Sequence, residues 1–216
     1  MKLYSYFRSS AAYRVRIALN LKGLAHDIVP VDLRAPNGGE HHGAAYRAIN
    51  PAGLVPALED QGQVLDQSLA IIEYLEETHP DPALLPADAL GRARVRALAL
   101  TVACDIHPLN NLRVLRYLKH SLGADNAARD AWYAHWVMAG LKVLEARLAS
   151  ESQTGRFCHG DQPGLADACL IPQMLNARRV DCDLGDLPVL LRIEAACMAL
   201  DAFRCAAPEN QPDHTV

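Results

Sequence analysis

Residues 7–19 read FRSSAAYRVRIAL, and this stretch decides the fold of the first part of the chain. The apolar run Leu3–Phe7 predicts a strand, and Ala11–Lys22 predicts a helix that ends at Gly23. Ser9 and Ser10 then lie at a helix N-terminus, where unpaired backbone N–H groups attract anions. A plain helix cap is the alternative role for either serine. The stretch contains no Cys, His or Lys, so it prepares a site for negative charge without supplying a nucleophile.

The rest of the first eighty residues alternates short strands and helices. The segment Asp27–Leu33 is rich in β-formers, and Pro30 cannot donate to a sheet ladder, so we expect an edge strand. The other predicted elements are a loop at Pro36–His42, a short helix at Gly43–Ile49, strands at Leu54–Leu58 and Gln63–Leu65, and a helix at Ser68–His79. The order βαβ-α-ββα predicts a small α/β domain.

The character of the chain changes after a proline-rich stretch, HPDPALLPADA, at residues 79–89. Helical periodicity dominates from there to about residue 205. Pro108 should kink or end the first helical pattern. We therefore assign residues 1–80 to an α/β domain, 81–87 to a linker and 88–206 to an all-helical domain. Residues 207–216 carry two prolines and few apolar residues, which predicts a loose tail.

Composition excludes several classes of protein. The 216 residues are half hydrophobic, with 21 Lys+Arg against 25 Asp+Glu, and the net charge of -4 argues against a sequence-blind nucleic-acid binder. The polar, charged N-terminus predicts no signal peptide, and no stretch approaches the roughly 20 apolar residues of a membrane span. The six cysteines form no C-x-x-C pair, so we expect reduced thiols in a cytoplasmic protein and no metal site.

A second stretch with chemical potential lies near the end of the predicted α/β domain. Val55-Pro56 precedes a strand, and a cis bond there would turn the Val55 backbone outward to pair with an extended peptide ligand. A trans proline is the alternative, since only about 5–6% of X-Pro bonds in folded proteins are cis. Gln67-Ser68 opens the next helix and forms a second anion-ready helix start, with a simple cap as the alternative for Ser68.

A third stretch, CDIHPLNNLR at residues 104–113, is more polar than a core helix needs. The Asp105-x-His107 pair could suggest a metal, but no further ligand stands at a familiar spacing. Arg178 and Arg179 form a later pair, for which surface solvation is the ordinary explanation.

Together these stretches resemble the zeta class of glutathione transferases. The most specific match is S-S-x-x-x-R-V-R-I-A-L, present as SSAAYRVRIAL at residues 9–19. NPAGLVP at 50–56, QSLAIIEYLEE at 67–77 and HPLNN at 107–111 also match, and the resemblance extends from residue 2 to about residue 205. It implies the glutathione transferase fold: a thioredoxin-like N-terminal domain with a cis Pro56, an all-helical C-terminal domain, and a homodimer.

Members of this class isomerise maleylacetoacetate or the closely related maleylpyruvate in the breakdown of aromatic compounds. They use glutathione, so the resemblance implies that glutathione supplies the missing sulfur. Its thiolate adds to the cis double bond, the bond rotates while single, and expulsion of the thiolate leaves the trans isomer. The hydroxyl groups of Ser9 and Ser10 and the helix start would favour the thiolate, with Arg8 beside them.

The resemblance also assigns binding residues. The implied glutathione-binding residues are Val55 and Pro56 at the cysteinyl part, Gln67 and Ser68 at the γ-glutamyl carboxylate, and His107 and Asn110. The implied ligands of the substrate carboxylates are Arg8, Arg113 and Arg179, with Arg178 as a substitute for Arg179. Arginine suits this role because its planar fork can bind both carboxylate oxygens.

Two departures from the class are visible. Many members carry Cys where this chain has Ala11, which leaves isomerisation on the glutathione sulfur intact but puts side reactions in doubt. Gly164 stands where a Ser or Thr usually caps a helix, at a cost of a few tenths of a kcal/mol. Two alternatives stay open: a general glutathione transferase or dehalogenase, and a non-catalytic glutathione-fold binding protein. The sequence does not choose between maleylacetoacetate and maleylpyruvate.

Overall fold

The computed structural model describes residues 1–214, apart from the side chain of Asn37. The chain divides into two compact units, one of Met1–Leu84 with the C-terminal segment from Met198 onward, and one of Leu85–Cys197. This division differs from the predicted one, because residues 198–206 belong with the N-terminal unit and not with the helical one. The last two residues of the predicted tail, 215 and 216, lie outside the described residues.

The first unit is built on a four-stranded mixed sheet in the order β2-β1-β3-β4. Its elements are β1 (Lys2–Ser5), α1 (Ser10–Leu21), β2 (Asp27–Pro30), α2 (Ala44–Ile49), β3 (Ala57–Asp60), β4 (Gln63–Asp66), α3 (Ser68–Thr78) and, from the C-terminal segment, α9 (Asp201–Ala206). Strand β1 is parallel to β2 and antiparallel to β3. The prediction of an edge strand at Pro30 is confirmed. The predicted loop at residues 36–42 contains two short 3-10 turns.

Local residues set both ends of α1. The side chain of Ser9 caps the helix, because its Oγ accepts a hydrogen bond from the backbone N of Ala12 at 3.2 Å. Gly23 ends it with φ +64, a left-handed conformation that glycine adopts without a steric penalty. Almost every residue of α1 is buried between these ends. The helix is therefore the central packing element of the first unit.

The C-terminal helix α9 packs on α1 through side chain to backbone hydrogen bonds. The hydroxyl of Tyr13 donates to the carbonyl of Phe203 at 3.2 Å. The guanidinium of Arg16, 1% exposed, donates through Nε to the carbonyl of Ala206 at 2.8 Å. A buried guanidinium needs such acceptors, because its desolvation is otherwise costly. These bonds fix residues 201–206 to the first unit.

The prediction of a loose tail is wrong for residues 207–214. Gln211 is buried, and its Nε2 donates to the carbonyls of Cys205 at 2.9 Å and Ala207 at 3.0 Å. The carboxylate of Asp213 accepts a hydrogen bond from the backbone N of Phe7 at 2.9 Å. Polar composition and prolines predicted disorder, but these polar side chains satisfy backbone groups of the first unit.

The second unit is all-helical, as predicted. Its elements are α4 (Ala89–Leu100), a π-helical turn (Thr101–Ile106), α5 (Leu112–His120), α6 (Asn126–Ser150), α7 (Leu165–Arg178) and α8 (Pro188–Met198). The last residue of α8 falls in the first unit by the division above. The helical pattern ends at Ile106, two residues before Pro108, which has no N–H group to donate within a helix. Within residues 1–214, the structure has no helix with the length and apolarity that crossing a bilayer demands.

The helix α7 forms the centre of the second unit, and its start explains why Gly164 is tolerated there. The buried carboxylate of Asp167 accepts hydrogen bonds from the backbone N of Gly164 and of Cys158, both at 2.9 Å. Burial raises the pKa of this carboxyl group above its usual 3.8, while the two backbone bonds act in the opposite direction. The residue at the third helical position therefore organises the helix start, and the cap position needs no side chain.

Candidate active site

The sheet register brings three predicted binding stretches to one end of the first unit. Tyr4 lies opposite Ala57, and Ala57 lies opposite Asp66. The β1–α1 connection, the residues before β3 and the residues after β4 therefore all leave the sheet at the same end. The Ser9 helix start, the Val55 backbone and the Gln67 helix start were separate predictions from sequence. The fold gathers them into one candidate site.

The structure assigns a definite local role to Ser9. It is the half-buried N-cap residue of α1, and its oxygen accepts the Ala12 N–H, which confirms the cap interpretation. A hydroxyl group that accepts one bond still has its O–H to donate. Ser10 is the first helical residue, and it is 8% exposed. Ser9 thus presents a donor at the mouth of the helix, whereas Ser10 is largely enclosed.

The segment before Ser9 is held on both sides. The guanidinium of Arg16 donates to the Phe7 carbonyl at 3.1 Å and to Ser5 Oγ at 2.9 Å. From the other side, Asp213 Oδ2 accepts from the Phe7 N–H at 2.9 Å. The backbone N of Ser9 donates to the carbonyl of Tyr6 at 2.9 Å. These bonds therefore fix the backbone that carries Ser9 and the half-buried Arg8.

The Val55 segment is held by α2 and by the C-cap residue that follows it. The buried side chains of Tyr46 and Asn50 both donate to the carbonyl of Leu54, at 2.7 Å and 2.8 Å. Burial raises the pKa of Tyr46 to about 12, so its hydroxyl stays protonated as the donor. The Val55-Pro56 bond is cis, which confirms the prediction, and Val55 is half-buried. The cis bond between Asp81 and Pro82 was not predicted.

The second helix start carries an unusual backbone conformation. Gln67 has φ +63, a region that costs a non-glycine residue of order 1–3 kcal/mol. Among the described residues, no side chain caps this start, so the N–H groups of the first turn of α3 stay available to a ligand. Ser68 is 7% exposed, and its Oγ accepts from Arg14 Nη1 at 3.3 Å. Strain and an uncapped helix start together fit an anion-binding role.

In the second unit, the HPLNN turn packs against α6. The indole N–H of Trp132 donates to the carbonyl of Leu109 at 2.9 Å, and Asn110 Nδ2 donates to the carbonyl of Tyr133 at 3.2 Å. Asn110 is 8% exposed, and within residues 1–214 its Oδ1 has no hydrogen-bond partner although it is buried. His107 is half-buried at the start of the turn. An orphaned amide oxygen is the kind of group that a ligand N–H would satisfy.

The structure distinguishes the two adjacent arginines. Arg178 donates to the carboxylate of Glu194 at 2.5 Å, and this bond raises the pKa of the guanidinium. Arg179, at the C-terminal cap of α7, is exposed. Burial raises the pKa of Tyr133 to about 12, and the charge of Arg179 opposes that rise, so the two side chains are electrostatic neighbours. Tyr133 was not predicted, because a tyrosine within a helix carries no signal of its own in the sequence.

Arg113 lies in the first turn of α5 and is exposed. Its backbone N donates to Asn111 Oδ1 at 3.1 Å, which is the cap of that helix. The cap fixes the backbone of Arg113 in this first turn, and the residue is exposed on the surface of the second unit.

The buried cysteines of the second unit are poor sources of a reactive thiolate. All six are free thiols, and Cys158 and Cys197 are buried in the second unit. Burial raises the pKa of both thiols, which keeps them protonated and unreactive. Ala11, in the first turn of α1, is buried and carries no thiol. Residues 1–214 contain no cluster of three or more metal-ligating side chains, so neither Asp105 nor His107 belongs to one.

The fold and the site define a class of protein: a thioredoxin-like unit with two anion-ready helix starts, joined in sequence to an all-helical unit. Residues 3–83 match the family model "Glutathione S-transferase, N-terminal domain". A maleylpyruvate isomerase from a Ralstonia species is 54% identical over 213 residues, which cover 99% of both chains.

Two solved structures are similar over the whole chain. One is described as a holo structure of maleyl pyruvate isomerase, a bacterial zeta-class glutathione S-transferase, at TM-score 0.96, 53% identity and full coverage of both chains. The other is a maleylacetoacetate isomerase from Methylobacterium extorquens with bound malonate and glutathione, at TM-score 0.95, 44% identity and full coverage of both chains. The chain belongs to the zeta class of the glutathione S-transferase family.

Proposed function

We propose that the protein is a glutathione-dependent cis–trans isomerase of a diketo dicarboxylic acid, acting on maleylacetoacetate or maleylpyruvate in the breakdown of aromatic compounds. The observation that carries the proposal is the meeting of the three binding stretches at one end of the sheet, set by the pairing of Tyr4, Ala57 and Asp66. The site has donors and positive charge for a thiolate, and it lacks a cysteine of its own. The similar isomerases support the same reaction.

The residues of the first unit fit glutathione. The backbone of Val55 precedes β3 and is held by two donors on the adjacent carbonyl, which suits main-chain pairing with the cysteinyl part. The uncapped start of α3 at Gln67 and Ser68 suits the γ-glutamyl carboxylate. In the second unit, His107 and Asn110 are proposed to contribute further polar contacts. When bound, glutathione supplies the thiolate for reversible addition to the substrate alkene.

The start of α1 would hold the sulfur in its reactive ionised form. A hydroxyl donor and the positive end of a helix both lower the pKa of a nearby thiol, because both stabilise its thiolate. We assign the donor role to Ser9 because its O–H remains available and its side chain is half-buried at the helix mouth. Ser10 is nearly enclosed, and we assign it a packing role at the N-terminus of α1.

The cationic side chains would stabilise the negative charges of the substrate. Arg8 adjoins the serine that faces the sulfur, so it suits the enolate oxygen or the nearer carboxylate. Arg113 and Arg179, both exposed in the second unit, are proposed ligands of substrate carboxylate groups. Arg178 is less suited to this role, because its guanidinium already pairs with Glu194.

The test follows loss of the enol absorbance of each cis diketo acid, with and without glutathione. We expect glutathione-dependent loss with at least one acid, accompanied by the trans product. A side-by-side comparison of kcat/KM for the two acids would identify the preferred substrate. No glutathione-dependent loss with either acid would overturn the proposal, and conjugation of a chlorinated aromatic electrophile in the same preparation would favour the general transferase instead.

We also propose that the protein is a cytoplasmic homodimer. Six free thiols suit a reducing compartment. The dimer is the assembly that the resemblance to the zeta class implies. Sedimentation equilibrium tests the dimer: a mass of one chain across the accessible concentration range would contradict it.

A further inference from the structure

Arg14 is a buried cation directly beneath the second helix start. It lies on α1, is 2% exposed, and donates through Nη1 to Ser68 Oγ at 3.3 Å. Ser68 is the first residue of α3 and is itself 7% exposed. The bond therefore connects the helix that carries the sulfur-activating start to the helix that carries the second anion-ready start.

The direction of this hydrogen bond is fixed by chemistry. A guanidinium has only donors, so the oxygen of Ser68 must be the acceptor. The hydroxyl proton of Ser68 is then turned away from Arg14 and can be donated to an acceptor on its other side. A hydroxyl whose oxygen accepts from a cation is also a stronger donor, because the two bonds polarise one another.

We propose that Arg14 is a positioning residue for the γ-glutamyl carboxylate of glutathione: it orients and polarises the hydroxyl of Ser68 toward that carboxylate. The inference rests on the proposed function, since it needs the carboxylate to bind at Ser68. Burial of Arg14 strengthens the effect, because a positive charge surrounded by low-dielectric protein is poorly screened from an anion bound above it.

A purely architectural role is the competing explanation, and the chain offers a matched control. Arg16 lies on the same helix, is 1% exposed, and donates to Ser5 Oγ and to backbone carbonyls. It is as buried as Arg14 but bonds to a different serine. A general effect of removing a buried arginine would therefore be shared by the Arg14 and Arg16 variants, whereas coupling to Ser68 is expected of Arg14 alone.

The experiment is a double-mutant cycle read by calorimetric binding of S-methylglutathione, which cannot react. In the wild-type background, Ser68→Ala should weaken binding roughly 10- to 100-fold, the range for one hydrogen bond to a charged group. In the Arg14→Met background, the same Ser68→Ala change should weaken binding by less than about threefold, since the hydroxyl is no longer directed at the ligand. In the Arg16→Met background it should keep its full effect.

A second ligand tests the carboxylate itself. In 4-aminobutyryl-S-methylcysteinylglycine the γ-glutamyl carboxylate is missing, so Arg14→Met should change its affinity much less than that of S-methylglutathione. If Arg14→Met does not fold, Arg14→Lys keeps a buried cation and replaces it in the cycle, with an intermediate loss of coupling expected.

The outcomes separate the two proposals. Equal effects of Ser68→Ala in the wild-type and Arg14 backgrounds, or no effect in either, would overturn the role of Arg14 while binding by the wild-type protein upholds the glutathione site. Wild-type protein that does not bind S-methylglutathione at all would overturn the proposed function, and the role of Arg14 with it.

Discussion

Replacing Ser9 by glycine should separate the capping role that its side chain has in the structure from its proposed role as a donor to the sulfur of glutathione. The oxygen caps α1 through the Ala12 N–H at 3.2 Å, while the O–H is the proposed donor to the sulfur of glutathione. Alanine removes both roles. Glycine removes the hydroxyl but is itself an acceptable residue at a helix cap. The pair Ser9→Ala and Ser9→Gly therefore distinguishes a contribution to folding from a contribution to thiolate formation.

The expected magnitudes follow from each role. Loss of the cap in Ser9→Ala should lower the free energy of unfolding by about 1 kcal/mol, and Ser9→Gly by only a few tenths. A hydrogen bond to a charged group contributes about 1.5–3 kcal/mol, which corresponds to about 1–2 pKa units at 1.36 kcal/mol per unit. Both variants should therefore raise the pKa of the bound glutathione thiol by about 1–2 units, although they differ in stability.

The thiol pKa is measured by titrating the ultraviolet absorbance of the thiolate in the enzyme–glutathione complex, and stability by urea denaturation of the same preparations. Ser10→Ala is the matched control, and it should leave the thiol pKa close to the wild-type value. A raised thiol pKa in Ser10→Ala with an unchanged one in Ser9→Gly would refute the assignment, and Ser10 would then face the sulfur.

Three further results are expected. Lys22→Met should lower the free energy of unfolding by about 3–5 kcal/mol in urea denaturation, because it leaves the buried carboxylate of Glu76 without its ion-pair partner at 2.8 Å; a loss below about 1 kcal/mol would contradict the burial of that pair. Arg179→Met should lower kcat/KM for the diketo acid about 10- to 100-fold, while Arg178→Met should stay within about twofold; equal effects in the same steady-state assay would remove Arg179 from the site. Burial raises the pKa of Asp167 in the folded protein, so its neutral form favours folding below the usual pKa of 3.8, and this stabilisation should be lost as pH rises through the raised pKa. The free energy of unfolding of the wild type relative to that of Asp167→Asn should therefore fall with rising pH. A rise would contradict the direction of the pKa shift.

Elements defined by local chemistry could be predicted from the sequence. The serine at the helix start, Gly23 at the helix end and the proline in β2 each act within a few residues of their own position. The same holds for the helix starts at Ser9 and Gln67, where the residue types alone predict an anion site. The stretch at residues 9–19 then indicated the family, and the family implied the cofactor and the reaction.

Contacts between distant parts of the chain could not be predicted in this way. The bond from Arg14 to Ser68 joins residues 54 apart in sequence on two helices, and the bond from Phe7 to Asp213 joins residues 206 apart. Polar residues near a chain end predict disorder on composition alone. Gln211 bonds to carbonyls at the end of α9, and only folding of the first unit brings the N–H of Phe7 to the carboxylate of Asp213.

The return of the C-terminal segment to the first unit has a consequence for synthesis. A ribosome makes the chain from its N-terminus, so residues 1–84 emerge long before α9 exists. During that interval Arg16 lacks the carbonyl of Ala206, and Tyr13 lacks the carbonyl of Phe203. We expect the nascent thioredoxin-like unit to remain incompletely packed until the helical unit and then α9 have been synthesised.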